Sequence, residues 1–160
     1  MKSEYDVEED FPVINCTPYG YPFEVWDHLT YHVSSTDLFD KNGNWVRTNW
    51  HKHGMDRVYN RSFPDHVATG PFNITCHVAS YTGPLCQPTG PNSFCTIENC
   101  TGVDWNIQLP GAGTVFHASG LSKRVDYWPN GWDTEELVAE LKRAGLDKYD
   151  VVALCSGLAP

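Results

Sequence analysis

Two histidines separated by one residue are the first feature of this sequence that could do chemistry. His51 and His53 share one face of a predicted strand about 6.5 Å apart, and imidazoles at that spacing can chelate a metal. A chelate needs a third ligand, which His28 or His32 would supply if the two strands pair in a suitable register. The alternative is that these are surface histidines on a wetted sheet face. We assign no metal and no cofactor, and we retain His51 and His53 as polar groups of a ligand pocket.

An aspartate lies among apolar positions of an earlier predicted strand. Asp27 shares its parity with Val25 and Leu29, so its side chain is expected to point inward. A buried carboxylate must be paired or protonated, and a raised pKa is how a general acid or base is made. Asp27 is therefore our one catalytic candidate. The alternatives are a structural salt bridge to Arg47 or Arg57, or a bulge that turns the side chain outward.

The aromatic residues are the third feature. Six Trp, eight Tyr and seven Phe exceed what a core of this size needs. Tyr31, Phe72 and Trp105 lie on apolar parities, and we take them as ligand-binding residues of an interior pocket. Core packing explains each of them singly. The pocket interpretation is sharper, because concave apolar sites with a few polar groups are where proteins bind small molecules.

The composition describes one folded domain with an acidic surface. The chain has 160 residues, 41% apolar and 19% charged, which is enough apolar material for a core and too little charge for disorder. A net charge of −9 repels phosphate backbones and anionic lipid headgroups, so nucleic acid is not expected as a partner. No run of about 18 apolar residues is present, and no membrane span is predicted.

Six cysteines indicate an exported protein held by disulfides. No C-x-x-C pair is present, so the usual zinc-knuckle geometry is absent and disulfides are favoured over a metal site. Four sequons fit a secreted chain and give the glycosylation candidates Asn15, Asn60, Asn73 and Asn99. The first residues lack the apolar run of a signal peptide, so we expect the targeting segment to have been removed from this sequence.

The elements that must position these residues are mostly strands. Residues 1–10 carry five acids and one base, and we expect a loose acidic tail over 1–15, with a single folded domain over 16–160. A strand is predicted at about 23–33, and Asn42-Gly43 favours a type I′ hairpin turn that folds it onto a second strand at about 45–59. Further strands are predicted at about 72–78, 103–109, 114–118 and 121–128. This spacing is typical of an antiparallel sandwich or barrel.

One segment departs from strand chemistry. Residues 134–145 are predicted to form a helix, because Thr134 can cap it, acids occupy its first turn, bases occupy its last, and Gly145 can end it. Residues 151–154 are expected to form a last extended segment.

Several short motifs resemble those of small secreted proteins of unknown function from Gram-positive bacteria. They are Cys16 before a long strand, a D-x-x-G-N turn at 40–44, the segment LPGAGTVFH at 109–117 and the C-terminal ALCSGLAP at 153–160. The resemblance implies an exported, closed up-and-down β-barrel of lipocalin or calycin type, tied by a bridge between Cys16 and Cys155. It implies no activity, and it does not extend to the middle four cysteines or to the helix at 134–145.

Six cysteines allow fifteen pairings. Cys16 and Cys155 flank the folded body, so a bridge there constrains the unfolded chain most, and the resemblance favours the same pair. Cys86 and Cys95 bracket a turn-rich tip whose ends must come close in a hairpin. The remaining pair is Cys76 with Cys100, and it needs a bulge because the alternation around Trp105 places the two cysteines on different parities.

Three functions from different classes follow. The first, which we favour, is a secreted barrel that binds a small apolar or aromatic molecule. The second is a cofactor-free barrel enzyme, an isomerase, cyclase or hydrolase, that uses Asp27 and a histidine. The third is an extracellular surface or assembly subunit that self-associates through the acidic tail and through Trp26 or Trp50.

Overall fold

Long antiparallel strands form almost the whole molecule. The computed structural model describes residues 1–144 and 147–160, with the backbone only at 142–144. Its strands are β1 (Lys2–Asn15), β2 (Glu24–Phe39), β3 (Trp45–Asn60), β4 (Phe63–Tyr81), β5 (Phe94–Leu109), β6 (Gly113–Trp128), β7 (Glu136–Ala144) and β8 (Lys148–Tyr149), and its one described α-helix is α1 (Val151–Leu158). The predicted mainly β class is confirmed.

The strands form one up-and-down sheet. Each strand from β1 to β7 pairs antiparallel with the next in the chain, and the short β8 pairs with β6 near its start. Within the described residues the outer strands β1 and β7 pair with β2 and β6 and not with each other. The antiparallel up-and-down topology is therefore confirmed, while closure into a barrel stays a prediction.

Counting back from a two-residue turn at Asn42-Gly43 predicts Asp37 near Thr48 and His28 opposite residues 54–59, and the β2–β3 hairpin has this register. Asp37 lies opposite Thr48, and His28 lies opposite Arg57. The turn itself is not type I′, because that type needs a positive φ at both central residues and only Gly43, at 82°, has one, while Asn42 does not. Asp40 closes this turn instead: its side chain accepts hydrogen bonds from the backbone N–H groups of Asn42 and Asn44.

The N-terminal segment is a strand, so the prediction of a loose tail over 1–15 was wrong. Its acidic side chains lie beside basic groups of β2, which composition alone does not reveal. Asp6 lies opposite His32 with its carboxylate 2.9 Å from Nδ1, and Asp10 lies opposite His28 at 3.3 Å. Charged residues are also what natural sheets place on an edge strand to prevent further pairing.

The secondary structure predicted for two C-terminal segments was wrong. Residues 136–144 form strand β7 rather than part of a helix, and Gly145 lies outside the described residues. The open edge of β6 offers unpaired backbone groups, and pairing with β7 satisfies them. Residues 151–158 form α1 rather than an extended segment, because Asp150 caps it by accepting a hydrogen bond from Ala153 N–H. No helix in the described ranges is long and apolar enough to cross a membrane.

The apolar core lies at one end of the sheet, under α1. Leu154, Cys155 and Leu158 of the helix are fully buried there. They pack against residues from the adjoining ends of five strands and the segment before β2, namely Cys16, Phe23, Val25, Val58, Ala68, Ile107, Leu109, Val115 and Phe116. The helix thus covers one end of one sheet face.

All three predicted disulfides are present. Cys16, which directly follows β1, bonds to Cys155 and fixes α1 to the end of that strand. Cys86 bonds to Cys95 across the tip between β4 and β5. Cys76 and Cys100 are directly opposite each other on β4 and β5. The bulge that this pair required lies between Val103 and Trp105.

The unequal loop lengths of these bridges predict unequal contributions to stability. Cys16 and Cys155 are 139 residues apart and Cys86 and Cys95 are 9 apart. Replacing both cysteines of a bridge by alanine should lower the free energy of unfolding by about 5 kcal/mol for the first pair and about 3 kcal/mol for the second. Chemical denaturation of the two double variants measures this. Equal losses would contradict the assignment of the long bridge as the main constraint on the chain.

Candidate functional site

The sheet has one face covered by α1, which we call the inner face, and an opposite outer face. Side chains alternate between faces along a strand, so Val25, Asp27 and Leu29 of β2 mark the inner face by their burial. The strand pairing shows that Asp56 and Trp50 of β3 lie on the same face, which continues across β4 and β5 to β6. Beyond the helix, the inner face changes from apolar to mixed side chains.

A groove of about 420 Å³ lies on this uncovered part of the inner face. Its apolar lining residues include Trp50, Ile74, Ala118, Leu121 and Leu137, and its charged lining residues are Lys52, Glu98, Asp104, Arg124, Glu140 and Asp147. Gly102 and Gly120 lie opposite each other in its wall. Both have a positive φ, and a Cβ atom at Gly102 would collide with the backbone carbonyl of Asn73, so a side chain is disfavoured at this point of the wall.

An arginine surrounded by carboxylates lies at one end of the groove. The Arg124 guanidinium is 2.8 Å from Glu98, 3.2 Å from Asp126 and 2.9 Å from Glu135. Trp50 Nε1–H donates to the other oxygen of Glu98, at 3.2 Å. Burial raises the pKa of Asp126 to about 6; the neighbouring carboxylates raise it too, whereas Arg124 lowers it. Sequence reasoning missed this cluster, although Glu98, Arg124 and Asp126 interrupt strands at inner-face positions.

Two of the predicted ligand-binding residues lie together beside the groove. The rings of Tyr31 and Phe72 meet edge to face at 6.0 Å. Lys52, which lines the groove, places its ammonium 3.9 Å from the centroid of Tyr31. Tyr31 donates a hydrogen bond to Glu9 of β1. Burial raises the pKa of the Tyr31 hydroxyl, and the hydrogen bond to Glu9 raises it further.

His51 and His53 lie on the outer face, so their assignment to an interior pocket was wrong. His53 is directly opposite His32, with ring centroids 5.5 Å apart, and His51 stacks on His53 at 5.1 Å. His51 Nε2 contacts the Asn73 amide oxygen at 2.9 Å, and His32 contacts Asp6. In the part of the chain that the structure describes, no three donor atoms on this face converge as a metal chelate requires.

Trp105 lies under the helix-covered end rather than in the groove lining. It packs against the core cluster, and its ring meets Phe116 at 6.2 Å. The bulge before Trp105 turns it to the inner face, as its apolar surroundings predict. Its place in the core gives it a packing role.

Asp27 points inward, as predicted. Its partner is a second aspartate, Asp56, and in the described part of the chain it forms no ion pair with Arg47 or Arg57. Asp27 and Asp56 are 0% and 3% exposed, the Oδ2 atom of each has no donor among the described residues, and the backbone N–H of Arg57 donates to Asp27 Oδ1 at 3.1 Å. Burial raises the pKa of both groups, and with the charge of Asp27 it brings that of Asp56 to about 8. The pair therefore holds one proton at neutral pH. Both side chains are buried, and neither lines the groove.

Three of the four sequon asparagines reach the surface at least in part. Asn15 and Asn73 are exposed and Asn99 is half-buried. Asn60 is fully buried, and its side-chain N–H donates to the Leu158 carbonyl at 2.9 Å, so it cannot carry a glycan in this fold. Asn60 is thus corrected from a glycosylation candidate to a residue that holds α1.

No protein-family model matches this chain, and no curated protein or solved structure matches it either.

The buried aspartate pair predicts that stability falls as the pH rises. The folded-state pKa of Asp56, about 8, lies above its ordinary value of 3.8, so the folded state binds more protons than the unfolded state between those values. The free energy of unfolding should decrease by a few kcal/mol from pH 5 to pH 8. Asp56→Asn keeps a hydrogen-bond donor to Asp27 and should remove most of this slope.

Denaturant unfolding at several pH values measures this dependence. Asp65→Asn, the same change at an exposed position, is the matched control and should leave the slope unchanged. A slope that stays the same in Asp56→Asn would show that the pair does not share a proton.

Proposed function

We propose that this protein binds a small molecule with an apolar or aromatic body in the inner-face groove. The observation that carries the proposal is the groove itself, about 420 Å³ in volume and bordered by Trp50, Ile74 and Leu121. This volume lies within the range of about 300–1,000 Å³ that is typical of small-molecule sites. The adjacent Tyr31 and Phe72 rings extend the aromatic surface.

The three disulfides are consistent with secretion, which is part of the proposal. A relationship to small secreted proteins of Gram-positive bacteria is also part of the proposal, and the Cys16–Cys155 bridge is consistent with it. Closure of the sheet between β1 and β7, expected for a calycin-type barrel, would enclose the groove more fully. The long strands and the single up-and-down order support that closure.

The two alternative functions have less support. Catalysis by Asp27 would need substrate to reach a residue that is fully buried. Assembly through Trp26 or Trp50 would need free indole faces, but the guanidinium of Arg61 covers Trp26 at 4.2 Å and Trp50 borders the groove. Binding is therefore the function that we propose.

A substitution that fills the groove tests this function. Ser122 lines the groove on β6, and Ser122→Phe should occupy its volume. We expect small aromatic or lipid-like probes to quench tryptophan fluorescence saturably in the unmodified protein and at least tenfold more weakly in this variant. Ser34→Phe, the same change on the outer face of β2, is the matched control and should bind as the unmodified protein does. Equal binding by both variants would place the ligand elsewhere.

A further inference from the structure

A cluster of aromatic rings lies beside the carboxylates that surround Arg124. The Trp132 ring packs on Trp45 at 5.4 Å, on Phe94 at 4.6 Å and on Trp128 at 4.9 Å, in tilted or edge-to-face geometry. Trp128 Nε1–H donates to Thr96 Oγ1 at 2.9 Å, which fixes this indole while its ring remains half-buried. Trp132 is 54% exposed in spite of these contacts. The rings therefore form a wall that is packed from behind and open on one side.

A second cavity, of about 240 Å³, lies between this wall and the carboxylates. Trp50, Trp128 and Trp132 line it together with Glu98, Asp126 and Glu135. It shares Trp50, Glu98 and Arg124 with the larger groove, so the two spaces adjoin.

The charges around this cavity do not balance. Three carboxylates face one guanidinium, and Asp126 is 2% exposed. Asp126 Oδ2 is the oxygen near Arg124, whereas no donor among the described residues reaches Asp126 Oδ1, and the neighbouring Glu135 side chain is itself a carboxyl group. A buried carboxylate oxygen without a donor is costly, and a positive group in the cavity would remove that cost.

We propose that this cavity binds a small organic cation, a substituted ammonium group, between the faces of Trp128 and Trp132 and the carboxylates of Asp126 and Glu135. Tryptophan is the best aromatic partner of a cation, and aromatic walls with acidic groups recognise quaternary ammonium ions. The inference rests on the proposed function, because the ammonium would be the head group of a molecule whose body occupies the groove.

The walls favour an organic cation over a metal ion. Hard divalent cations take six to eight oxygen ligands, whereas indole rings supply none. Arg124 occupies the centre of the carboxylates and would repel a compact double charge. A diffuse ammonium ion instead gains from the aromatic faces and needs only partial access to the carboxylates.

Calorimetric titration with choline, compared with its uncharged carbon analogue 3,3-dimethyl-1-butanol, tests the proposal. We expect choline to bind at least tenfold more tightly than the analogue. Trp132→Ala and Glu135→Gln should each weaken choline binding at least fivefold, and both residues are exposed enough for the fold to be retained. Trp26→Ala, which removes an outer-face tryptophan, should leave it unchanged. Calcium chloride tests the metal alternative.

The pH dependence gives a second readout. Asp126 faces Glu98 of β5, Arg124 of β6 and Glu135 before β7, and its pKa is raised to about 6. Choline should displace a proton from this cluster, so its affinity should increase from pH 5 to pH 7. Asp126→Asn should bind choline weakly at both pH values.

The outcomes separate this inference from the proposed function. Equal binding of choline and its analogue, unchanged binding in Trp132→Ala, or preferential binding of calcium would each overturn the cation site. If neutral probes still bind and Ser122→Phe removes that binding, the groove function stands without it. If neither choline nor any neutral probe binds, both proposals fall.

Discussion

The attachment of α1 to one end of the sheet is the constraint on which the rest of the structure depends. The Cys16–Cys155 bridge makes this attachment covalent, and two side chains reinforce it: Asn60 donates to the Leu158 carbonyl and His66 donates to that of Ala159 at 2.7 Å. Burial of the helix's apolar residues is what gathers the core under this end. The remainder of the inner face receives no comparable cover from the helix and carries polar and charged groups instead.

Two clusters of carboxyl groups lie on the inner face, and they differ in whether they line a cavity. Asp27 and Asp56 are sealed within the strands, and they reduce the cost of burial by sharing a proton. Glu98 and Asp126 are buried as well, but together with the half-buried Arg124 they line the second cavity. A buried ion pair seldom adds stability over well-packed apolar residues, so charged groups that also line a cavity are better explained by recognition than by folding.

Patterns that depend on neighbouring residues could be predicted from the sequence, whereas patterns that depend on distant partners could not. The β2–β3 register followed from the position of the Asn42-Gly43 turn. Loop length and the resemblance favoured the Cys16–Cys155 bridge, hairpin geometry favoured Cys86–Cys95, and Cys76–Cys100 was the pair that remained. The tail at 1–15 was misjudged, because its acids have histidine partners on β2 that only the strand pairing reveals. The helix at 134–145 was misjudged for a related reason: the edge of β6 decides the structure of 136–144 against its local propensity.

The candidate site shows the same division. Inward orientation of Asp27 followed from parity, and the hairpin register would have placed Asp56 diagonally beside it, opposite Leu29. The outward orientation of His51 and His53 could also have been found, because in this register both share a face with the outward His32. By contrast, the convergence of Glu98, Arg124 and Glu135 joins three separate elements, and no spacing in the sequence reveals it.

The lengths of the elements explain why the sheet has space for a ligand. Strands β2, β3, β5 and β6 each have 16 residues, or about 53 Å at 3.3 Å per residue, whereas the eight residues of α1 extend only about 12 Å. A helix this short cannot cover such strands, so the inner face must change from apolar residues to residues that tolerate water. The groove lies in this transition, with the core on one side and the aromatic and acidic cavity on the other. A molecule with an apolar body and a charged head would match that order of surfaces in one orientation only.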